Sequence, residues 1–465
     1  MPKYSIKRLN VKQMDILVYG TGRLYQQYKK WLRNVNILAF LDSDINKQGR
    51  ILDGIKIISP QNGMLFAFDF IYVLSNYYDV MVDKLIKLGV DKEKIKSVRN
   101  LLELGIKPRY MEFGRQRGNT ENNILFFSHE LSLIGAPIVL FYAAEILRQS
   151  QFYITVASPS DGPLRLRYQE KGIRVIIDES LDFKTMEDIH WINDYFLIFV
   201  NSIDWTHLLV KRPKNLSVIW WLHEEKGCYT SLHIEDIKKI PTENLHIFSV
   251  SYKVKMCIDS YISQIKSELL LYCIPDEYEK SYIKYPTCFA VIGSVIPRKA
   301  QDTFLKAVKS LDTRYKNICQ FWVIGDDSSF FASELKKMYD GNYHIEFKGE
   351  CDRKKLMDLY RYIDVIICPS REDPMPVVVA EAAMMQKPSI VSEATGYANT
   401  FPDDFRGVIF KTDNVDELKK CMIRFINDKF LLKSTGKKMR CFFKQNFSKE
   451  SFKEKLLIIM KDMIK

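Results

Sequence analysis

No apolar run in this chain of 465 residues approaches the ~20 residues needed to cross a bilayer; the stretch around Ile138–Leu147 is among the longest and falls well short. The amino-terminal MPKYSIKRLN is positively charged, but it leads into a short ILVY run and a glycine turn. It has neither the apolar core nor the small-residue cleavage site of a secretory signal. Cysteine is scarce and scattered: nine residues, an odd number, at positions 228, 257, 273, 288, 319, 351, 368, 421 and 441. With no Cys-x-x-Cys pair and no His/Cys cluster, a disulfide framework and a zinc knuckle are both excluded. Reduced thiols in a reducing compartment fit instead, so the expected location is the cytoplasm. Low-complexity segments and short-period repeats are also missing, which excludes solenoids and disordered arrays.

What is present is ordinary globular composition, 47% hydrophobic and 27% charged, in a chain long enough for about three domains. Lys+Arg outnumber Asp+Glu by 69 to 57, giving a net charge of +12. A basic surface is compatible with nucleic acid, an anionic membrane face or phosphorylated small molecules. Because no zinc finger or aromatic single-strand-binding motif accompanies the charge, no nucleic-acid partner is expected. Peripheral contact with an anionic inner membrane face stays open.

A β-branched or aromatic run, then a turn, then a helical stretch recurs along the chain, as in parallel α/β layers. Strands are predicted at 15–19, 37–41, 70–74, 123–127, 152–157, 195–200, 216–222, 246–250, 288–292, 321–324, 344–347, 364–368 and 389–391. They are too many for one Rossmann sheet and suit three. Polar, turn-rich stretches at Phe113–Asn123 and Pro275–Pro286 mark boundaries, and the chain from Val415 onward reads as helices. The expected units are 1–112, 113–283 and 284–445, with a last helix in 446–465 packing back over an interface.

The most informative segment is Asp364–Pro388, DVIICPSREDPMPVVVAEAAMMQKP. A buried strand ends at Cys368, a loop with two prolines follows, and Pro376 reads as the first residue of a helix that stops before Lys387-Pro388. A loop and helix N-terminus at the carboxyl end of a parallel strand present free N–H groups and partial positive charge, suited to anionic or hydroxyl-rich ligands. Asp373 and Glu381 are spaced to face one cleft. The segment resembles glycosyltransferase family 4, whose carboxyl-terminal domain carries P-S-x-x-E-G-F-G-x-x-x-x-E-A. The matching residues are Pro369, Ser370, Asp373, Pro374, Met375, Pro376, Glu381 and Ala382. The resemblance implies that Glu381 binds the nucleotide ribose, that Asp373 lies by the donor sugar, and that the backbone of Pro374, Met375, Pro376 and Val377 adds donor contacts. Asp373 stands where the family usually has Glu, so Glu372 beside it is the alternative contact.

A second match is IGSVIPRKAQDTFLKAV, Ile292–Val308. A strand ends at Gly293, a helix starts near Gln301, and the cations Arg298 and Lys299 lie between them, where they can neutralise a diphosphate. Family 4 usually reads V-G-R-L-x-x-x-K-G here, which puts Lys299 on the diphosphate-binding lysine. Ser294 replaces the usual Arg and Ala300 the usual Gly, and Arg298 is the candidate for the missing charge. Other likenesses are FSHELSLIGAPIVLFYAAEIL (Phe127–Leu147), with Gly135, His129 and Glu130 on the acceptor side; VIWWLHE, ending in His223 and Glu224; and SEATGYANT with Gly396 on the donor side. The resemblance makes His223 a cleft histidine in contact with acceptor or donor, with Glu224 on the acceptor side; a strand-end histidine can equally be a hydrogen-bonded structural one. The resemblance covers roughly Asn123–Ile464.

Ahead of it, ILVYGTGRLYQQY and ILAFLDSD place Gly20 and Gly22 after a strand and Asp42 about twenty residues on, as in a dinucleotide fingerprint, but Tyr25 occupies the third glycine position. This region resembles small Rossmann-like domains attached to sugar-modifying enzymes and could bind a nucleotide or serve as a docking module. The implied fold class is α/β, GT-B (two Rossmann-like domains facing a cleft) behind a smaller Rossmann-like domain. The implied activity is retaining transfer from a nucleoside-diphosphate sugar, UDP-sugar first among them, to a hydroxyl acceptor such as a lipid-linked glycan. Lys299 does the neutralising, so no metal and no cofactor beyond the nucleotide-sugar co-substrate are expected. Asp42-Ser-Asp44, which imitates a metal-binding Asp-x-Asp motif, is read as unrelated. The departures at Asp373, Ser294 and Ala300 leave open a non-catalytic GT-B subunit as the alternative and a nucleotide-sugar epimerase as a third reading.

Overall fold

The computed structural model describes residues 13–115, 122–133, 135–279, 286–341 and 344–463; the charged amino terminus and much of both polar boundary stretches lie outside the described residues. Among the described residues, twenty strands form three sheets. The first holds β1 (Asp15–Tyr19), β2 (Asn36–Leu41), β3 (Ile51–Leu52), β4 (Ile55–Ile58), β5 (Phe70–Val73) and β6 (Ile95–Lys96), in the order β3-β4-β2-β1-β5-β6. It is parallel apart from the β3–β4 hairpin. Ile16, Leu17, Val18 and Tyr19 are all fully buried, because helices cover both faces of the sheet.

The second sheet holds β7 (Tyr110–Phe113), β8 (Asn123–Ser128), β9 (Tyr153–Ser158), β10 (Arg174–Asp178), β11 (Leu197–Asn201), β12 (Ser217–Leu222), β13 (Leu245–Ser249) and β14 (Glu268–Leu269). Its order is β14-β13-β12-β11-β8-β9-β10-β7, with only β7 antiparallel. The chain therefore enters this sheet before the Phe113–Asn123 stretch. The third, parallel throughout, holds β15 (Thr287–Ile292), β16 (Cys319–Ile324), β17 (Ile345–Gly349), β18 (Val365–Cys368), β19 (Ser389–Ser392) and β20 (Ile409–Phe410), in the order β17-β16-β15-β18-β19-β20.

The second and third units share one continuous hydrophobic core, whereas the first has its own. The sharing comes from the carboxyl-terminal helices. Lys429–Asn446 packs on the third unit, and Lys449–Met463 then returns to the second. There Phe452 stacks on Trp221 at 5.8 Å, and Lys449 Nζ pairs with Glu145 Oε2 at 2.6 Å. No helix among the described residues is long and apolar enough to cross a membrane.

Candidate functional site

In an open parallel sheet, ligands bind outside the carboxyl ends of the strands where the strand order reverses. In the third sheet that point lies between β15 and β18, and both sequence motifs meet there. After β15 the backbone turns at Gly293, whose φ of 138° suits glycine, and the Lys299 side chain lies over it, 3.8 Å from where a Cβ would stand. Pro297–Lys299 form one 3-10 turn, and Ala300 closes it in the left-handed conformation at φ 54°. That conformation is what the family's usual glycine supplies without strain. Ser294 is exposed, and its carbonyl accepts a hydrogen bond from Gln301.

After β18, the loop Pro369–Pro376 comes alongside. Lys299 Nζ donates to Asp373 Oδ2 at 2.5 Å, and Arg298 Nη1 donates to the Glu372 carbonyl at 2.7 Å. Arg371, which the sequence analysis passed over, fastens the two loops together. Its amide donates to the Arg298 carbonyl at 2.8 Å, and its guanidinium bridges Asp302 and Asp413 at 2.9 and 2.8 Å. Hydrogen bonds from Arg371 to Asp302 head the causes that raise its pKa further, so the clamp stays charged. Asp373 is buried, and its carbonyl accepts from the Gly396 amide at 3.0 Å. A Cβ on Gly396 would lie 1.8 Å from the Pro374 carbonyl oxygen and 2.8 Å from Ser251 Cβ of the second unit.

Pro376 is the N-cap of the following helix rather than its first residue: its ψ of 121° is extended, and the helix runs Val377–Met384. Met375 is fixed by the Tyr272 hydroxyl, which donates to its carbonyl at 3.1 Å. Glu381, one turn into the helix, is buried; Arg353 pairs with it, and Tyr360 donates to Oε2 at 3.1 Å. Burial raises its pKa, against the opposing pull of Arg353 and Tyr360. Arg353 also reaches Glu277 at 3.0 Å. Neither Arg353 nor Tyr360 shows in the sequence, since both lie on Arg353–Tyr360, an amphipathic helix like many others.

The second unit supplies the opposite wall. The Gly227 amide donates to Glu372 Oε1 at 3.3 Å, and Lys253 Nζ donates to the Glu393 carbonyl at 2.8 Å. Glu225, unnoticed in the sequence, points a buried oxygen that has no hydrogen-bond partner in the structure. Burial first, then Glu372 and Asp373, push its carboxyl up to about 7, against the pull of Lys253 and Arg298. It borders a cavity of about 450 Å3 with Lys253, Met256 and Tyr261. A larger cavity, about 820 Å3, lies by Gln13, Asp69 and Lys94, at the amino ends of β1 and β5, the wrong edge for ligands of a parallel sheet.

His223 Nε2 meets Asn201 Oδ1 at 2.8 Å, and its ring lies 4.7 Å from that of Trp221. Burial, helped by His129, lowers its pKa to about 3, so it is neutral at physiological pH. Glu224 Oε2 accepts the amides of Ile203 and His223, each at 3.0 Å, which gives it a backbone-holding role. His129 and Glu130 follow β8, and Gly135 opens the helix Gly135–Gln149. The structure thus gathers Lys299, Arg298, Glu372, Asp373, Pro374 and Gly396 in one place, with Glu381 deeper in the helix, and leaves His223, Glu224 and His129 at the carboxyl edge of the second sheet. Asp42 lies in the first unit, where Thr21 and Lys47 donate to Oδ2 at 2.5 and 3.1 Å and the Asp44 amide to Oδ1 at 2.9 Å.

Residues 277–462 match the family described as glycosyl transferases group 1, residues 120–270 match glycosyl-transferase family 4, and residues 12–96 match the C2185-like amino-terminal family. An uncharacterized glycosyltransferase of Methanocaldococcus jannaschii is 25% identical over 154 residues, 33% of this chain and 42% of that protein. The UDP-Gal:alpha-D-GlcNAc-diphosphoundecaprenol alpha-1,3-galactosyltransferase of Escherichia coli is 24% identical over 148 residues, 31% of this chain and 37% of that protein. The chain thus spans less than half the length of these curated relatives. Anabaena HepE, solved with UDP and glucose, superposes with a TM-score of 0.62 at 13% identity, over 73% of this chain and 99% of its own. That likeness gives the fold: the second and third units form a GT-B pair.

Proposed function

We propose that this chain, whose residues 120–270 and 277–462 match two glycosyltransferase families, transfers a sugar from a nucleoside-diphosphate sugar to a hydroxyl acceptor, with retention of anomeric configuration. The observation that carries this reading is the Lys299–Asp373 pair at 2.5 Å, set at the reversal point of the third sheet. Lys299, Arg298 and the helix N-terminus at Val377 offset the charge that develops on the departing diphosphate, which is the main electrostatic demand of the step. Asp373, with Glu372 beside it, faces the donor sugar, and Glu381 takes the ribose hydroxyls. UDP is the favoured nucleotide, since Anabaena HepE was solved with it. The acceptor is a lipid-linked glycan met at an anionic membrane face. The net charge of +12 and the diphosphoundecaprenol-linked sugar named for the Escherichia coli relative both favour that choice.

The test is to incubate the pure chain with UDP-glucose, UDP-galactose and UDP-N-acetylglucosamine and to follow UDP release, with NMR of the new anomeric centre. Slow release from one donor, accelerated by an acceptor and giving a retained product, is expected. Binding without release, or interconversion of the sugar without release, overturns the reading.

A further inference from the structure

We infer that the first unit is the outer wall of the acceptor site and that Arg23 is a positioning residue for the acceptor loop; this rests on the transferase reading above. The contacts between the first and second units share one feature. Arg23 Nη2 pairs with Glu130 Oε2 at 2.6 Å, in the segment after β8. Tyr28 donates to Asp182 Oδ2 at 2.9 Å and Trp31 meets Phe183 edge-on at 4.9 Å, both in the segment after β10. Asp79 accepts from the Ser231 hydroxyl and amide at 2.6 and 2.8 Å, and Arg99 pairs with Asp236 at 2.6 Å; these two partners lie on Ser231–Ile237, the helix reached after β12. Each partner follows the carboxyl end of a strand, and that edge is where an open parallel sheet receives ligands. The first unit therefore spans the edge from β10 to β12 and passes over β8, where the strand order of the second sheet reverses.

Arg23 comes straight after Gly20-Thr21-Gly22, the fingerprint-like glycine turn that the transferase reading does not use. Its partner Glu130 organises the loop in three ways. Its carbonyl accepts from Ser128 Oγ at 2.6 Å, its Oε1 accepts from Ser132 Oγ at 2.9 Å, and Oε1 stands 3.9 Å from His129 Nε2. His129 Nδ1 has no hydrogen-bond partner in the structure but is buried, so only a turn of the ring would bring it to a bound hydroxyl, and Glu130 stands against that ring. By holding Glu130, Arg23 sets the attitude of that histidine without touching substrate itself. The fingerprint-like turn thus serves to present a guanidinium across the seam.

The test uses the full chain carrying Arg23→Ala and Arg23→Lys. Three quantities are read: UDP-glucose hydrolysis in water, KM for octyl glycosides as acceptor probes, and hydrogen exchange of the 123–133 amides. Arg23→Ala should raise acceptor KM about three- to fivefold, the scale of one partly exposed ion pair. Donor hydrolysis should stay within twofold, 123–133 exchange should quicken, and Arg23→Lys should restore both altered readouts. Unchanged exchange in Arg23→Ala, or equal losses in donor hydrolysis and acceptor use, overturns the inference. If no octyl glycoside accelerates UDP release, the exchange arm alone decides. If the wild type neither binds nor releases UDP, the transferase reading fails, while the exchange data still report whether Arg23 holds the loop.

Discussion

At the scale of single residues, the site is held by contacts too close to tolerate a methyl group. Gly396→Ala would press a Cβ to 1.8 Å from the Pro374 carbonyl and 2.8 Å from Ser251, with backbone on one side and another unit on the other. We expect a loss of about 3 kcal/mol or more in thermal or denaturant unfolding, in the range of severe overpacking; a wild-type midpoint would show that the seam opens freely. Glu381→Gln keeps the shape and removes the charge, so UDP affinity by calorimetry should fall by about 1.5–3 kcal/mol, the worth of a hydrogen bond to a charged group. Wild-type affinity in that variant contradicts the ribose assignment. The acids, the glycine and Lys299 were legible in the sequence because spacing and order identify them. Arg371, Arg353, Tyr360 and Glu225 were not, because what brings them to the site is the meeting of loops and helices distant in sequence.

At the scale of elements, the predicted strands are each found within two residues, since buried parallel strands are dense apolar runs bounded by turns. Those that escaped were mostly two-residue edges such as β3, β6, β14 and β20, too short to show a period. RVIID of β10 is not among the predicted strands despite its β-branched run. The VVV of Val377–Met384 is helical against its own propensity, because Pro376 stands as its N-cap and burial is complete over Val379–Met384. The seam between the first and second units adds a pH dependence. Burial raises Asp182 from its usual range to about 7, with Asp204 adding to the rise and Tyr28, His129 and Lys30 opposing it. A carboxyl whose folded pKa lies above its unfolded value favours the fold while protonated, so this contribution is lost as pH climbs from about 4 to 7. His207 and His223, lowered to about 4 and 3 by burial, act in the opposite direction between those values and about 6.5. Asp182→Asn isolates the carboxyl: its melting temperature relative to wild type should be higher at pH 8 than at pH 4. A constant difference would show that Asp182 does not titrate at the seam.

At the scale of the whole molecule, two units share a core and meet at the β15–β18 crevice, and a third lies across the carboxyl edge of the second sheet. The sequence carried this architecture as far as three sheets, but not the seating of the first unit, which depends on single ion pairs such as Arg23–Glu130. We propose that cationic side chains at the β15–β18 crevice, rather than a metal held by Asp42 and Asp44, neutralise the donor diphosphate. The most direct test is UDP release from the accepted UDP-sugar with EDTA present, in wild type, Lys299→Ala, Asp42→Ala and Asp44→Ala. Wild type and both aspartate variants should keep most of their activity while Lys299→Ala loses at least ~100-fold, the worth of a main electrostatic stabiliser. Activity that vanishes on chelation, together with an inactive Asp44→Ala and an active Lys299→Ala, would contradict the proposal.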